Sequence, residues 1–393
     1  MLSTTDLFIL NLLATFAPYL IVTVSINLEY GYGGVPNFGK VLAVAGGAFM
    51  AGIIPGRLLA YTLGIGKGMN FISSNVPIIT AINGRISSNA LLSLQIFVIT
   101  LIVAAVVGAL LGLAVAYPVA RLRSDYLGMT FLAAGQVILV VGNNYSPIVG
   151  GTQGVNVPDP FQWLSSFGID RDILAVVFMM IIAVILFLYA RRLTHSPLGR
   201  MLRAVRDDEN STLALGKDVQ RTRINIIIIA SAMAAVAGAL YSFYTANVFY
   251  ASFSRTSWTF WPWVMVILGG AANDWGVVAG TFIFVAVRQT ITFYSSNLAP
   301  FIPFNPVWLD TLLLGLALLL ILIYRPEGLI PEKPIKTIKN GRLPGEIAGE
   351  AAASEPGGGT VSKKPQSLTD RLRELFTEKK KEDSKKDSEK DRS

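Results

Sequence analysis

His195 is the only histidine in the chain, and cysteine is absent. A single loop histidine cannot build a histidine metal cluster, and it makes a Ser-His-Asp hydrolase a poor fit. Without thiols there are no disulfides, thiolate metal sites or cysteine nucleophiles. Two glycine-lysine stretches look like phosphate loops, Gly64-Ile65-Gly66-Lys67-Gly68 and Gly216-Lys217-Asp218. A true phosphate loop needs G-x-x-x-x-G-K-[ST], whose backbone amides cradle the phosphates and whose hydroxyl meets magnesium. Both stretches lack the upstream glycine and the Ser or Thr. The chain is therefore not expected to hydrolyse ATP, and no catalytic residue, metal or cofactor of its own is assigned. Five ionisable residues fall within or beside apolar runs: Lys40, Arg57, Asp274, Arg288 and Asp310. An ion-coupled carrier usually needs buried acids. Asp274 and Asp310 are the only two here, both near helix ends, so the supply argues against ion coupling.

The densest charge lies elsewhere, in Arg191–Arg223. Residues 1–324 hold 17 Lys or Arg, and 8 of them fall in this segment of 33 residues. Four acids, Asp207, Asp208, Glu209 and Asp218, fall there too. Ser196-Pro197 is a helix start: serine caps, and proline at the first position gives up only an N–H that would be an orphan. Leu198, Met201, Leu202 and Val205 form an apolar stripe, with Arg200, Arg203 and Arg206 on the other face. Asp207-Asp208-Glu209-Asn210 supplies a turn and a second start, with acids where the helix dipole favours them. Gly216 is the expected stop. The prediction is two short helices across the cytoplasmic mouth of a membrane domain. A plain connector is the blander reading, but bundle connectors usually run ~2–8 residues.

The surrounding chain is apolar. It is 52% hydrophobic and 15% charged, against roughly a quarter charged in soluble chains. Half of the charge lies after residue 324. Residues 1–324 are thus read as a polytopic membrane domain, and 325–393 as a solvated cytoplasmic tail. The net charge of +8 follows from basic residues at membrane edges and points to no nucleic acid. The first apolar run starts near Leu7 with no basic segment before it, and is read as a retained span.

A span takes about 20 apolar residues. Runs of that kind lie near 6–27, 35–62, 91–118, 126–142, 173–190, 224–245 and 307–324, with a longer Gly-broken region at 258–294. The fold expected is an all-α transmembrane bundle with Gly-broken, re-entrant helices. Positive residues put loop 191–223 and the link at Arg121 and Arg123 inside. The tail stays inside only if 258–294 is a hairpin of two short helices, broken at Gly269-Gly270-Ala271-Ala272-Asn273-Asp274. Non-helical backbone at membrane depth must be buried in protein or line a cavity, so the break lies on the transport path or packs against other helices. Glycines cluster there and at Gly31–Gly47; close packing accounts for both, and a repeat about a central pathway is the alternative. The aromatic stretch from Tyr241 to Trp263 reads as an interfacial belt, the alternative being an aromatic substrate cage. In the tail, a Pro/Gly/Ala/Ser-rich linker (325–366) cannot bury enough to fold. A short amphipathic helix is expected at about 367–380, then a disordered end.

The ordered motifs carry a resemblance. Ser196-Pro-Leu-Gly-Arg200, Arg203-Ala-Val-Arg206-Asp-Asp-Glu209 and Ala214-Leu-Gly216 resemble the coupling loop of branched-chain amino acid ABC transporter permeases of the LivM type. Asn27-Leu-Glu-Tyr30-Gly31, Asn37-Phe38-Gly39, Gly150-Gly151-Thr-Gln-Gly154, Val264-Met-Val-Ile-Leu-Gly269-Gly270 and Arg325-Pro326-x-Gly328-Leu329 are similar to family segments in the same order, over about 25–330. The resemblance implies a plasma-membrane importer built from two permease subunits, this one and a related second. Two ATPase subunits would carry ATP and magnesium, and an extracytoplasmic solute-binding protein would deliver the substrate. In that frame Arg203, Arg206, Asp207, Asp208 and Glu209 dock the ATPase and Gly216 sets the turn. Asn143, Asn144, Gly150, Gly151 and Asn273 are placed near the path, although Asn at a span end is more often solvated at the interface. The substrate implied is a branched-chain or other small amino acid, with urea or a short amide as alternatives. Two other classes stay open: a stand-alone secondary transporter or channel, and a membrane scaffold whose tail recruits partners.

Overall fold

The computed structural model describes residues 3–119, 124–163, 170–295, 307–325 and 327–332. Of the linker expected at 325–366, residues 325 and 327–332 are described, and 327–332 is bonded to the end of the helix Trp261–Gly269 rather than left unpacked; the rest of the linker, the tail helix and the charged end lie outside the described residues. Helix α1 (Thr4–Ile26) starts at Ser3, whose hydroxyl accepts from the Asp6 N–H. It runs on through a π-helical turn, Asn27–Tyr32. An extended stretch leads to α2 (Lys40–Leu63). Then come α3 (Asn75–Ile86), α4 (Ala90–Val119), α5 (Ser124–Asn144) and a single turn, α6 (Ser146–Val149). Helix α7 (Arg171–Thr194) leads into α8 (Pro197–Asp207), α9 (Glu209–Ala214) and α10 (Val219–Thr245). After a π-helical Thr256–Phe260 come α11 (Trp261–Gly269), α12 (Asp274–Phe293) and α13 (Val307–Tyr324). Among the described residues, seven helices are long and apolar enough to cross a membrane: α1, α2, α4, α5, α7, α10 and α12.

Helix α10 is the most buried of the seven, packed by α4, α2 and α1. Glycine makes the α2–α10 approach close enough. A Cβ on Gly47 would sit 1.9 Å from the Ala235 carbonyl oxygen, and one on Gly238 would sit 1.9 Å from that of Val44. In lipid, where apolar burial drives little association, such backbone contact is how helices bind one another.

Helices α1 and α12 run antiparallel along their whole length. Phe8 meets Phe293 and Phe16 meets Phe282 edge-on, at 5.2 and 5.8 Å between ring centroids. The buried Thr23 and Thr281 hydroxyls bond at 2.9 Å, and Tyr32 reaches Asp274 at the far end. The region 258–294 is indeed a hairpin, broken at 270–273. Its second arm is not short, because the apolar run after Asp274 continues for 20 residues. The descending arm, 256–269, ends beside loop 191–218, and α12 returns.

The opposite end carries a small clamp that the periodicity does not announce. Val155–Asn156 (β1) pairs antiparallel with Asn247–Val248 (β2). The Asn156 side chain accepts from Asn247 at 3.0 Å, and Asn75 on α3 accepts from the Asn156 N–H at 2.7 Å. Arg171 pairs with Asp159 and donates to the carbonyls of Phe243 and Tyr244. Ile78, Ile79, Ile82 and Ile86 of α3 form a second apolar cluster with Leu59 and Ile96. Amphipathic α3 thus lies across the mouth of α2 and α4 rather than spanning.

Candidate coupling site at the loop end of the bundle

The two loop helices form where their caps place them. The Ser196 hydroxyl accepts from the Leu198 N–H at 3.2 Å, with Pro197 at the first position. Ser196→Ala should weaken α8 by about 1 kcal/mol, seen as faster amide exchange from Leu198 to Met201. Asp208 is extended and caps α9, accepting from the Asn210 and Ser211 N–H groups at 3.0 and 3.3 Å. Its bond from the Ser211 hydroxyl holds its carboxyl below the usual range, so the cap stays ionised. Gly216 has φ +72° and ends α9. Asp218 then caps α10 through the Arg221 N–H at 2.8 Å.

Helix α8 rests on the first chain break. Leu202 and Val205 are buried, and Leu202 lies against Gly33. Gly34 has φ +67°, and a Cβ there would crowd Arg206. Arginines of α8 take the Gly31 carbonyl of that turn and the Thr194 carbonyl at the end of α7. Arg206 donates to the Gly31 carbonyl at 2.6 Å and pairs with Glu332 at 3.0 Å and Asp207 at 3.1 Å. Arg203 donates to the Thr194 carbonyl at 3.0 Å, with its guanidinium over the Tyr32 ring. Neither arginine therefore joins Arg200 on an outward charged face. Glu209 also turns back, gripping Arg223 with both oxygens at 3.0 and 2.9 Å. The exposed surface includes Arg200, Ala204, Asp207, Asp208, Leu213 and Leu215. The two leucines are 52% and 78% exposed, a large apolar contribution for so polar a segment.

The second break meets the first directly below. Asn27 accepts from the Ala272 N–H at 2.8 Å, and the Tyr32 hydroxyl donates to Asp274 at 3.0 Å. Asn273 caps α12, accepting from the Trp275 and Gly276 N–H groups, each at 3.1 Å. Its amide also donates to the Pro331 carbonyl at 3.0 Å. The chain after α13 completes the junction. Leu329 and Ile330 donate to the carbonyls of Leu268 and Gly269 at 2.9 and 3.1 Å, satisfying the end of α11. Gly270 (φ +106°) and Gly328 (φ +80°) permit this, since a Cβ on Gly328 would lie 2.6 Å from Gly270. Arg191 stacks over Trp275. Loop, first break, second break and the 327–332 segment thus form one hydrogen-bonded junction, with Arg206 bridging three of them.

The residues placed near a path fall into two separate groups. Asn273 belongs to the junction as a cap. Asn143, Asn144, Gly150 and Gly151 lie at the other end of the bundle. Asn144 bonds its own helix at Val140. The Asn143 side-chain oxygen is buried without a partner among the described residues. Gly150 and Gly151 have φ +74° and +59° and shape the turn after α6. Sequence reasoning missed Tyr32, Asn27, Glu332 and the two exposed leucines. Asn27 and Tyr32 lie in or beside the glycine-rich segment and carried a signal. Glu332, in a low-complexity linker, carried none.

The model of the family "Branched-chain amino acid transport system / permease component" matches residues 8–322. A probable branched-chain amino acid transport permease protein LivM from Methanocaldococcus jannaschii is 41% identical over 341 residues, covering 86% of this chain and 98% of that protein. The high-affinity branched-chain amino acid transport system permease protein LivM of Escherichia coli is 28% identical over 270 residues, covering 63% of this chain and 60% of its own length. No solved structure matches the chain. With seven helices long and apolar enough to cross a membrane, and a family match over nearly all of them, the chain belongs to the family of permease components of branched-chain amino acid transport systems, which is a family of transport proteins rather than enzymes.

Proposed function

We propose that this chain is one of two permease subunits of an ABC importer for branched-chain amino acids, driven by ATPase subunits seated under α8 and α9. The observation that carries the reading is the junction itself. A segment with an exposed face is bonded on its other face to the first break directly, through Arg206 and Gly31, and to the second through Glu332 and the 327–332 segment. A displacement of α8 must therefore act on the 31–34 turn and the 270–273 break together. Work comes from differential contact of the loop with two ATPase states. The docking face comprises Asp207, Asp208, Leu213 and Leu215. Arg203, Arg206 and Glu209 serve docking by holding that face in place. ATP and magnesium reside on the partner ATPases. A binding protein delivers the substrate, and a related permease completes the path.

The test is reconstitution with the ATPases, second permease and binding protein that the reading requires, offering leucine, isoleucine, valine, urea and short amides. Leucine, isoleucine and valine should stimulate ATP hydrolysis and enter the vesicles. Uptake driven by an ion gradient, with no ATPase present, would overturn the reading. Leu213→Asp with Leu215→Asp should abolish ATPase co-purification while leaving the permease monodisperse.

A further inference from the structure

Helix α5 is the least buried of the seven spans. Glycines fix one side of it to α2 and the stretch before it. A Cβ on Gly142 would lie 2.4 Å from the Phe49 ring, one on Gly135 2.9 Å from the Val41 side chain, and one on Gly128 3.0 Å from the Phe38 ring. The other side, with Met129, Ala133, Gln136, Val137 and Val140, is exposed.

Gln136 stands in the middle of that side. It is 10 residues from Tyr126 and 8 from Asn144, the two ends of the span, which at 1.5 Å per residue puts it roughly 15 and 12 Å from them. A glutamine cannot reach either interface from that depth. Its amide has no hydrogen-bond partner among the described residues. In hydrocarbon a polar group must find a partner, and an unbonded amide is costly. Seven residues on, close to two full turns and so on the same stripe, the Asn143 side-chain oxygen is also without a partner among the described residues.

A lone polar residue on a lipid face is the blander alternative. The exposed sides of α7 and α4 show what a lipid face is in this chain. At mid-span they carry Val177, Ile181, Val184 and Ile185 on α7, and Val106 and Leu110 on α4. Helix α5 departs from that pattern at the depth where a departure costs most.

We propose that this side of α5 is a wall of the transport path, with the Gln136 amide as a polar contact for the solute at mid-membrane. This deepens the proposed function and rests on it. An amide both donates and accepts, so it serves either end of a zwitterion. Being neutral, it holds neither end as an ion pair would, and conduction needs sites weak enough to leave. Val137 and Val140 beside it suit a hydrocarbon side chain.

The chain has no cysteine, so single cysteines report cleanly. The full transporter complex in nanodiscs carries Q136C, V140C on the same side, or V184C on the exposed side of α7. Each is treated with a water-soluble cationic methanethiosulfonate, and modification is read from the mass of this chain. Q136C and V140C should be modified at least tenfold faster than V184C. V140C keeps Gln136, so it tests the wall even where Q136C fails to assemble. Q136L should cut leucine imported per ATP hydrolysed at least fivefold, and Q136N, which keeps an amide, should retain more. Modification of Q136C and V140C as slow as that of V184C would overturn the wall in favour of lipid. Slow modification with ready cross-linking of Q136C to the second permease would overturn it in favour of a subunit seam. Equal import by Q136L and wild type would overturn the contact. Slow modification in a complex that imports leucine removes the wall and leaves the proposed function standing. Fast modification in a complex that imports another solute and not leucine leaves the wall standing and removes the branched-chain substrate.

Discussion

Lys40→Met, with Glu29 left in place, is expected to destabilise the bundle by about 3–5 kcal/mol, the usual cost of orphaning one member of a buried ion pair. Lys40 Nζ and Glu29 Oε2 are 2.9 Å apart, and both side chains are fully buried. The two attract as charges without the angles of a hydrogen bond, and neither atom has another partner among the described residues. Asn37 donates to the other Glu29 oxygen at 3.3 Å. Helix ends give no help. Lys40 is the first residue of α2, where the dipole is positive, and Glu29 lies in the turn that prolongs α1, where it is negative. Each charge is thus compensated chiefly by the other. Glu29→Gln should cost a similar amount. The double variant, Glu29→Gln with Lys40→Met, should recover most of the loss, since replacing a whole buried pair is often neutral. The measurement is the thermal midpoint of the purified protein in one detergent. If the double variant loses as much as the two singles combined, the pair is not what holds this region.

That pair also shows where sequence reading stops. The spans were legible because an apolar run of about 20 residues matches the hydrocarbon thickness of a bilayer and few soluble elements need one so long. The loop helices were legible because caps are local: Ser196-Pro197, Asp208 and Gly216 each act within a few residues. The hairpin at 258–294 followed from charge placement, since an even count of crossings was needed to bring the end of α13 back to the loop side. Glu29 escaped notice because it sits 11 residues from Lys40 across a chain break, and no helical or strand period relates them. The facing of Arg203 and Arg206 escaped for a similar reason. Arg200, Arg203 and Arg206 look alike at helical spacing. What turns Arg206 inward is the Gly31 carbonyl, more than 150 residues earlier in the chain, and what turns Arg203 is the Thr194 carbonyl at the end of α7 together with the Tyr32 ring. Asn143 and Asn273 were grouped by residue type, although they lie at opposite ends of the bundle. The β1–β2 pair, two residues long on each side, is set by its asparagine contacts and leaves no period to read.

Arg206→Ala should cut substrate uptake roughly tenfold to a hundredfold while the ATPases remain bound. The side chain makes one charge-assisted bond to the Gly31 carbonyl and an ion pair with Glu332. Hydrogen bonds to charged groups contribute about 1.5–3 kcal/mol, and every ~1.4 kcal/mol is tenfold in an equilibrium. Without Arg206, α8 keeps its caps at Ser196 and its buried Leu202 and Val205, so the docking face survives. What is lost is the strut tying α8 to the first break and to the 327–332 segment, which in turn covers the second break through Leu329 and Ile330. ATP hydrolysis should then proceed with less transport per ATP. Arg206→Lys supplies the charge without the fork and should restore only part of the coupling, because a single ammonium cannot span Gly31 and Glu332 as the guanidinium does. Glu332→Gln should weaken transport less than Arg206→Ala, since the Gly31 bond remains. The double variant Arg206→Ala, Glu332→Gln should be no worse than Arg206→Ala alone, the non-additivity expected of residues in one network. The readout is the ratio of leucine imported to ATP hydrolysed in proteoliposomes. An unchanged ratio in Arg206→Ala would mean that force passes from loop to spans by another route, through the Arg203 contact with Thr194 or through packing alone.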